Sequence, residues 1–123
     1  MRRRTAMIGA GVAALALAAG AAWAADAPAY VVNEINVTDA AKFGTYVAQV
    51  PATFAPFGGE YVIRGGAPEA VHGGEPPQRL VVLKFPSREK ARAWRASPAY
   101  QAILPIREAS STSRVYIVDG YVP

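Results

Sequence analysis

The sequence contains no cysteine and only one histidine, His72, among its 123 residues. Without cysteine the chain has no disulfide framework, no thiolate nucleophile and no cysteine-ligated zinc site. A single histidine also excludes multi-histidine metal sites and the Cys/His catalytic dyad. The composition therefore predicts no metal site, and no motif in the sequence predicts a cofactor.

The chain also has little net positive charge outside its first few residues. The chain carries 13 Lys and Arg against 9 Asp and Glu, a net charge of +4. Three of the basic residues are Arg2, Arg3 and Arg4, and without them 10 basic residues face 9 acidic ones, a net charge of +1. The basicity therefore belongs to the N-terminal stretch, and the rest of the chain lacks the charge of a nucleic-acid-binding protein.

Residues 1–24 have the pattern of an export signal. Three arginines precede an Ala/Gly/Leu/Val run over residues 7–21, and Ala22-Trp23-Ala24 forms a small-x-small cleavage site. We expect an exported, periplasmic protein whose single mature domain spans residues 25–123, without stable membrane insertion after cleavage. An uncleaved anchor is the alternative, but the run is short for a membrane-spanning helix of about 20 residues. A twin-arginine signal also stays open.

Strand and helix patterns alternate along the mature chain. β-Branched and apolar runs predict strands over residues 30–37, 61–64, 79–85 and 114–118, and residues 65–78 form a loop rich in Gly and Pro. Helical spacing of apolar residues predicts one helix after Asp39 and a second helical region after Ser87 that restarts at Ser97-Pro98. Pro51 is expected to kink the first helix or to end its regular part near Val50. The order is β-α-β-β-α-β, an α+β domain with a four-stranded antiparallel sheet.

The strands are apolar on both faces. In the third strand Leu80 and Val82 point to one side, and Val81, Leu83 and Phe85 point to the other. Right-handed crossovers place both helical regions on the same face of the sheet, so the second face needs another cover. A second copy of the sheet is the economical cover, because a monomer of this size rarely exposes a large apolar patch. The sequence therefore predicts a homodimer.

Three linked segments resemble the family called domain of unknown function 1330. They are GGEYVIRGG at residues 58–66, LKFPS at 83–87 and AWRASPAYQ at 93–101. The resemblance covers about residues 29 to 119 and implies a ferredoxin-like subunit of the dimeric α/β-barrel type. It implies no established activity, since related barrels include cofactor-independent monooxygenases, haem enzymes and isomerases.

Charged residues at the ends of the second and third predicted strands are candidates for chemistry. Arg64 ends one strand and could present its guanidinium to a carboxylate or an enolate, while Arg79 begins the next strand and could lie beside it. The alternative for both is an exposed charge, or for Arg64 a salt bridge to a nearby glutamate. His72 is a second catalytic candidate because its side chain titrates near neutral pH, although a loop histidine is more often solvated.

Aromatic residues on the helices are candidates for binding an apolar ligand. Tyr46, Trp94 and Tyr100 could line a pocket, and their alternative role is packing in the core. Either Asn33 or Glu34 must point inward from the first strand, and Glu34 could meet Arg64 or Arg107 in the cavity. We otherwise expect Arg107 to be a charge on the surface or at the dimer rim.

Three functions follow from these observations. The first is an exported homodimer that binds a small anionic or aromatic molecule in the cleft between sheet and helices. The second is a structural or interaction dimer of the cell envelope without a ligand site. The third, from the resemblance, is an enzyme similar to cofactor-independent monooxygenases or isomerases, so enzymatic activity is left undecided.

Overall fold

The structure is a computed structural model, and it describes residues 27–123. The predicted export signal at residues 1–24 lies outside this range. Within residues 27–123, no helix has the length and apolar character needed to cross a membrane.

Four antiparallel strands form one sheet. Strand β1 spans Ala29–Val37, β2 spans Glu60–Gly65, β3 spans Arg79–Phe85 and β4 spans Ser111–Asp119. The order across the sheet is β2-β3-β1-β4, so the first strand lies in the centre between β3 and β4. This is the predicted β-α-β-β-α-β arrangement with a ferredoxin-like order. The last strand is longer than residues 114–118, because Ser111, Thr112 and Ser113 continue the pairing with β1.

Each helix begins at a side-chain cap that the sequence contains. Helix α1 spans Ala40–Phe54, α2 spans Arg88–Ala96 and α3 spans Pro98–Ser110. The side chains of Asp39, Ser87 and Ser97 accept hydrogen bonds from the backbone N–H groups three residues later. These caps fix where each helix leaves its strand or its neighbouring helix.

The expectation that Pro51 ends the regular part of α1 near Val50 is wrong. The helix continues to Phe54, and the Ala55 N–H still donates to the carbonyl of Pro51. Proline removes only its own donor, and burial of Thr53 and Phe54 against the core holds the last turn in place. A short 3₁₀ turn and Gly58, with φ of 76°, then reverse the chain into β2.

The helices cover one face of the sheet. Alternate residues of β1 and β3 point to this face and are joined by side chains of α1, α2 and α3 in one core. The buried members of the core are Val31, Ile35, Phe43, Tyr46, Val50, Phe54, Leu83, Phe85, Ala91, Trp94, Tyr100 and Ile103.

No helix of residues 27–123 covers the opposite face, which we call the bare face. It carries Tyr30 and Val32 of β1, Leu80 and Val82 of β3, Ile63 of β2, and Tyr116 and Val118 of β4. Ile63, Tyr116 and Val118 are between 38% and 46% exposed. Most positions of the bare face are therefore apolar, as the sequence predicts.

The expectation that Glu34 could face the cavity is wrong. Strand alternation places Asn33 inward and Glu34 on the bare face, where Arg114 donates to both carboxylate oxygens at 3.1 and 3.0 Å. The Tyr116 hydroxyl donates to the same carboxylate at 2.8 Å. These contacts, the tyrosine first and the arginine second, hold the pKa of Glu34 below its usual range.

Candidate functional site

A cleft opens between the helix-covered face of the sheet and helix α1. As it stands it has a cavity volume of about 30 Å³, which is room for one or two water molecules. Its walls are mostly apolar and include a few polar side chains, the composition expected of a small-molecule site. The lining residues are Asn33, Ile35, Phe43, Tyr46, Val47, Val50, Tyr61, Arg64, Arg79, Val81, Leu83 and Trp94.

The cleft gathers four of the five residues that the sequence suggests for ligand binding. Arg64, Arg79, Tyr46 and Trp94 all line it, although they come from β2, β3, α1 and α2. The fifth, Tyr100, is fully buried behind the cleft, where its hydroxyl lies 2.9 Å from the hydroxyl of Tyr46.

The two strand-end arginines rest on aromatic rings at the cleft. The Arg64 guanidinium lies 5.0 Å from the ring centre of Tyr61, and that of Arg79 lies 5.6 Å from the ring centre of Phe43. Gly65 leaves room for Arg79, since a Cβ there would come within 3.2 Å of the guanidinium. The Nε atom of Arg79 is buried without a hydrogen-bond partner in the structure. Such an unpaired donor is what an acceptor group of a ligand would satisfy.

Neither arginine at the cleft forms an ion pair within residues 27–123. The salt bridges in this part of the chain join Arg88 to Asp119 and Arg114 to Glu34. The alternative of a bridge from Arg64 to a nearby glutamate is therefore not formed. The cleft carries positive charge that no carboxylate of the described chain neutralises.

A buried polar network lies behind the cleft and centres on Tyr100. The Tyr100 hydroxyl accepts hydrogen bonds from Arg95 and from Arg107, each at 3.0 Å, and contacts the Tyr46 hydroxyl. Arg107 also donates to the Ser113 hydroxyl at 2.9 Å. Burial raises the pKa of Tyr46, repulsion between the two ionised phenols of Tyr46 and Tyr100 adds to the rise, and Arg107 opposes it, so Tyr46 stays protonated at neutral pH.

The expectation that Arg107 is a surface or dimer-rim charge is wrong. Only 6% of the residue is exposed, and its partners are the hydroxyls of Tyr100 and Ser113. Position in the last turn of α3 favours a cation there, because the helix C-terminus carries partial negative charge. The available signal was the helical spacing of Tyr100, Ile103 and Arg107, which places the arginine on the buried side of α3.

Asn33 is a second buried polar residue. The sequence predicted that either Asn33 or Glu34 points inward, without deciding between them. The Asn33 side-chain amide donates to the carbonyls of Val81 at 3.0 Å and of Val31 at 3.3 Å. The amide thus bridges β1 and β3 at the floor of the cleft. Its side-chain oxygen accepts no hydrogen bond from residues 27–123.

Trp94 is part of the core as well as of the cleft wall. It is 1% exposed, its ring stacks at 5.4 Å on Phe85, and its Nε1 donates to the Thr53 hydroxyl at 3.0 Å. The packing role that the sequence left open for the aromatics therefore applies to Trp94, whose ring also forms one side of the cleft.

His72 lies in the exposed loop between β2 and β3 and is not among the residues that line the cleft. Of the two catalytic candidates, Arg64 therefore lines the cleft and His72 does not. Across residues 27–123, no three acidic or histidine side chains gather where they could hold a metal ion.

A wider, open depression of about 580 Å³ lies at one edge of the bare face. It runs from the Glu34 and Arg114 pair to the end of the loop at Glu75 and Gln78. The Glu34 and Arg114 charges at this depression pair with each other, and the Gln78 side chain accepts from the Val37 N–H. We therefore take the smaller cleft, with its unpaired donors, as the candidate site.

Comparison with known proteins gives a family and a fold. The sequence model of the family described as "Domain of unknown function (DUF1330)" matches residues 28–121. None of the curated proteins matches this chain in sequence.

Solved structures of several proteins are similar to this one, including the following three. A protein of unknown function from Rhodopseudomonas palustris has a TM-score of 0.69 at 18% identity, over 80% of this chain and 85% of that chain. SnoaB, a cofactor-independent oxygenase from Streptomyces nogalater, has a TM-score of 0.54 at 20% identity, over 80% and 97%. A dimeric ferredoxin-like protein of unknown function from Thermobifida fusca has a TM-score of 0.51 at 13% identity, over 76% and 91%. At these identities the likeness shows a shared ferredoxin-like fold.

Proposed function

This chain belongs to the DUF1330 family, and within that family we propose that it is an exported homodimer that binds a small anionic or aromatic molecule in the cleft. The observation that carries the proposal is the pair of arginines, Arg64 and Arg79, at an aromatic cleft without a neutralising carboxylate. An anionic group on a flat apolar body matches both the charge and the walls of this site.

Ligand entry requires movement at the edge of the sheet. A cavity of about 30 Å³ admits only water, so a ring-sized ligand needs the side chains at the mouth to swing outward. Arg64 is exposed and stacks on half-buried Tyr61, and both belong to the edge strand β2. Edge side chains move at little cost because nothing packs beyond them.

A thermal-shift screen with benzoate and its hydroxylated analogues tests the binding proposal. A ligand that binds only the folded state raises the melting temperature, and the rise grows with the logarithm of the ligand concentration divided by its dissociation constant. We expect a rise for the wild-type protein that is lost in Arg79→Ala and kept in Arg92→Ala, a change of an exposed arginine on α2. No rise with any compound, or equal rises in both variants, would contradict the proposal. Native mass spectrometry of the purified protein checks whether a small molecule is retained.

The homodimer part of the proposal rests on the bare face. Val62, Ile63, Tyr116 and Val118 are exposed there or at its edge, and a second copy of the sheet would bury them. A two-fold axis allows one apolar patch to cover its own copy. The Thermobifida fusca protein, which shares the fold, is described as dimeric, and this supports a dimer for the present chain.

Export rests on the pattern of residues 1–24. Fusion of these residues to a reporter that is active only outside the cytoplasm tests it. Activity that disappears when Arg2, Arg3 and Arg4 are replaced by glutamate is the expected result. A reporter that stays inactive would contradict export.

A dimer that acts as a structural unit without a ligand is the second candidate. The small volume of the cleft favours it, because solid packing leaves no site for a metabolite. Failure of the ligand screen together with co-purification of a stable envelope partner would select this function. Enzymatic activity of the SnoaB kind has only the shared fold in its favour.

A further inference from the structure

The hydrogen-bond donors around Tyr100 determine which way its hydroxyl proton points. A phenol oxygen offers two acceptor positions and one proton. Both acceptor positions of Tyr100 are taken, since Arg95 and Arg107 each donate to its oxygen at 3.0 Å. In the contact with Tyr46 at 2.9 Å, Tyr100 is therefore the donor and Tyr46 is the acceptor.

The Tyr46 hydroxyl proton is left without an acceptor in residues 27–123. The hydroxyl of Tyr46 contacts Tyr100, from which its oxygen accepts, and Arg107, whose guanidinium has donors only. The side chain lines the cleft and is only 7% exposed, so bulk water does not supply a ready partner. A buried donor without an acceptor is costly unless the occupant of the cleft provides one.

The charge behind Tyr100 favours a negative acceptor. Arg107 is buried, Arg95 is half-buried, and neither forms a salt bridge within residues 27–123. Both guanidinium groups polarise the Tyr100 hydroxyl, and hydrogen bonds in such a chain strengthen one another. The positive charge of both guanidinium groups therefore favours negative charge on the acceptor of the Tyr46 proton.

From this arrangement we infer that Tyr46 donates a hydrogen bond to a phenolate or enolate oxygen of the ligand, and that Tyr100 is the positioning residue that turns Tyr46 into a donor. The inference rests on the proposed function, because it specifies the ligand of the same cleft. It selects an oxyanion conjugated to a flat apolar body over a neutral aromatic molecule. Arg64 and Arg79 provide further positive charge at the mouth of the cleft.

Two single-ring probes that differ in one hydroxyl test this inference. 4-Nitrophenol forms a coloured phenolate, whereas nitrobenzene has the same ring and nitro group and no ionisable oxygen. Binding of both probes to the wild-type protein is compared with binding to Tyr46→Phe, Tyr100→Phe and Tyr121→Phe. The last variant removes a hydroxyl from a residue that is 88% exposed. Circular dichroism confirms that each variant is folded.

We expect Tyr46→Phe to lower the affinity for 4-nitrophenol about tenfold and to change that for nitrobenzene less than about twofold. The bound fraction of coloured phenolate, at a pH below the pKa of the free probe, should fall in the same variant. Tyr100→Phe should lower this fraction too, with little effect on nitrobenzene, whereas a merely structural role would weaken both probes equally. Tyr121→Phe should behave as wild type.

The outcomes separate this inference from the proposed function. If both probes bind and Tyr46→Phe leaves their affinity ratio unchanged, the inference is overturned while the cleft remains a binding site. If Tyr100→Phe weakens both probes by the same factor, the positioning role is overturned. If neither probe binds the wild-type protein, the cleft is not a site for aromatic ligands, and the proposed function falls together with the inference.

Discussion

Both faces of the sheet carry apolar side chains, but helices cover only one of them. On the helix-covered face, Val31, Leu83 and Phe85 are almost fully buried by α1, α2 and α3. On the bare face, the equally apolar Ile63 and Val118 remain 38% and 46% exposed. The difference arises from chain topology, because both crossovers bring their helices to the same side. A face that is apolar and uncovered by its own chain indicates a partner.

The polar residues of the two faces differ as well. The bare face pairs Glu34 with Arg114 and Tyr116, so this carboxylate is satisfied where the proposed second copy would lie. The helix-covered face holds Arg79 and Arg107, whose Nε atoms are buried without hydrogen-bond partners in the structure. Unsatisfied donors on the covered side are a feature of ligand sites, and satisfied charges on the bare side are compatible with an interface.

The largest expected effect is on the covered face. Trp94→Ala removes the ring that packs against Phe85 and Tyr100 and the donor to Thr53. Loss of a buried tryptophan in a core typically lowers the free energy of unfolding by about 3–5 kcal/mol. Urea unfolding followed by circular dichroism measures it. Trp94→Phe, which keeps an aromatic ring at this position, should lose clearly less, and equal losses would contradict the packing role.

The next largest effect is on the bare face. Val118→Asp would place two carboxylates, one from each copy, in the proposed interface, and should raise the dissociation constant of the dimer at least about a hundredfold. The folded subunit should remain, because Val118 is half exposed in the single chain. Val71→Asp, the same change at a loop residue that is 93% exposed, is the control. Sedimentation velocity shows the outcome, and an unchanged dimer in Val118→Asp would exclude this face as the interface.

Alkaline pH should reveal the buried tyrosine pair on the covered face. Since the pKa of Tyr46 is raised in the folded protein, its contribution to stability is complete below the unfolded tyrosine pKa of about 10 and is lost as pH rises above it. Tyr46→Phe removes this hydroxyl, so the free energy of unfolding should decline less steeply with pH, by up to about 1.4 kcal/mol per pH unit. Unfolding at a series of alkaline pH values measures the slope. Tyr121→Phe should keep the wild-type slope, and a slope unchanged in Tyr46→Phe would be inconsistent with its burial.

Acidic pH should reveal the smaller effect of the carboxylate on the bare face. Because the pKa of Glu34 is lowered in the folded protein, its contribution is present above the unfolded glutamate pKa and is lost as pH falls through the folded pKa. Glu34→Gln should therefore weaken the acid dependence of the urea midpoint, and Glu69→Gln in the exposed loop should not. The effect is small because exposed ion pairs are screened by solvent. Identical acid dependence in both variants would remove this role of Glu34.

The spacing of apolar residues, together with the residues that cap helices and form turns, was sufficient to predict the fold. The third strand begins and ends at Arg79 and Phe85, as its apolar run predicts, and Ser87 and Ser97 cap α2 and α3 as expected. The alternative that Pro51 ends the regular part of α1 near Val50 was wrong because local preference gave way to burial of the following turn. Local signals thus determined the elements, and tertiary packing adjusted one helix end.

The candidate site was only partly predictable. Position at a strand end identified Arg64 and Arg79, and aromatic character identified Tyr46 and Trp94. All four residues line one cleft. The network behind it was missed because Tyr46 and Tyr100 are 54 residues apart and meet only through the packing of α1 on α3. Arginine is rarely buried, so composition argued against Arg107 as a core residue.

The proposed homodimer requires that a second copy of the chain covers the bare face of this sheet. Sedimentation equilibrium of the purified protein at micromolar concentration tests it most directly. We expect the mass of two chains, with no free subunit until the protein is strongly diluted. A single-chain mass at that concentration would contradict it, since the exposed apolar residues of β2 and β4 would then stand in water without a partner.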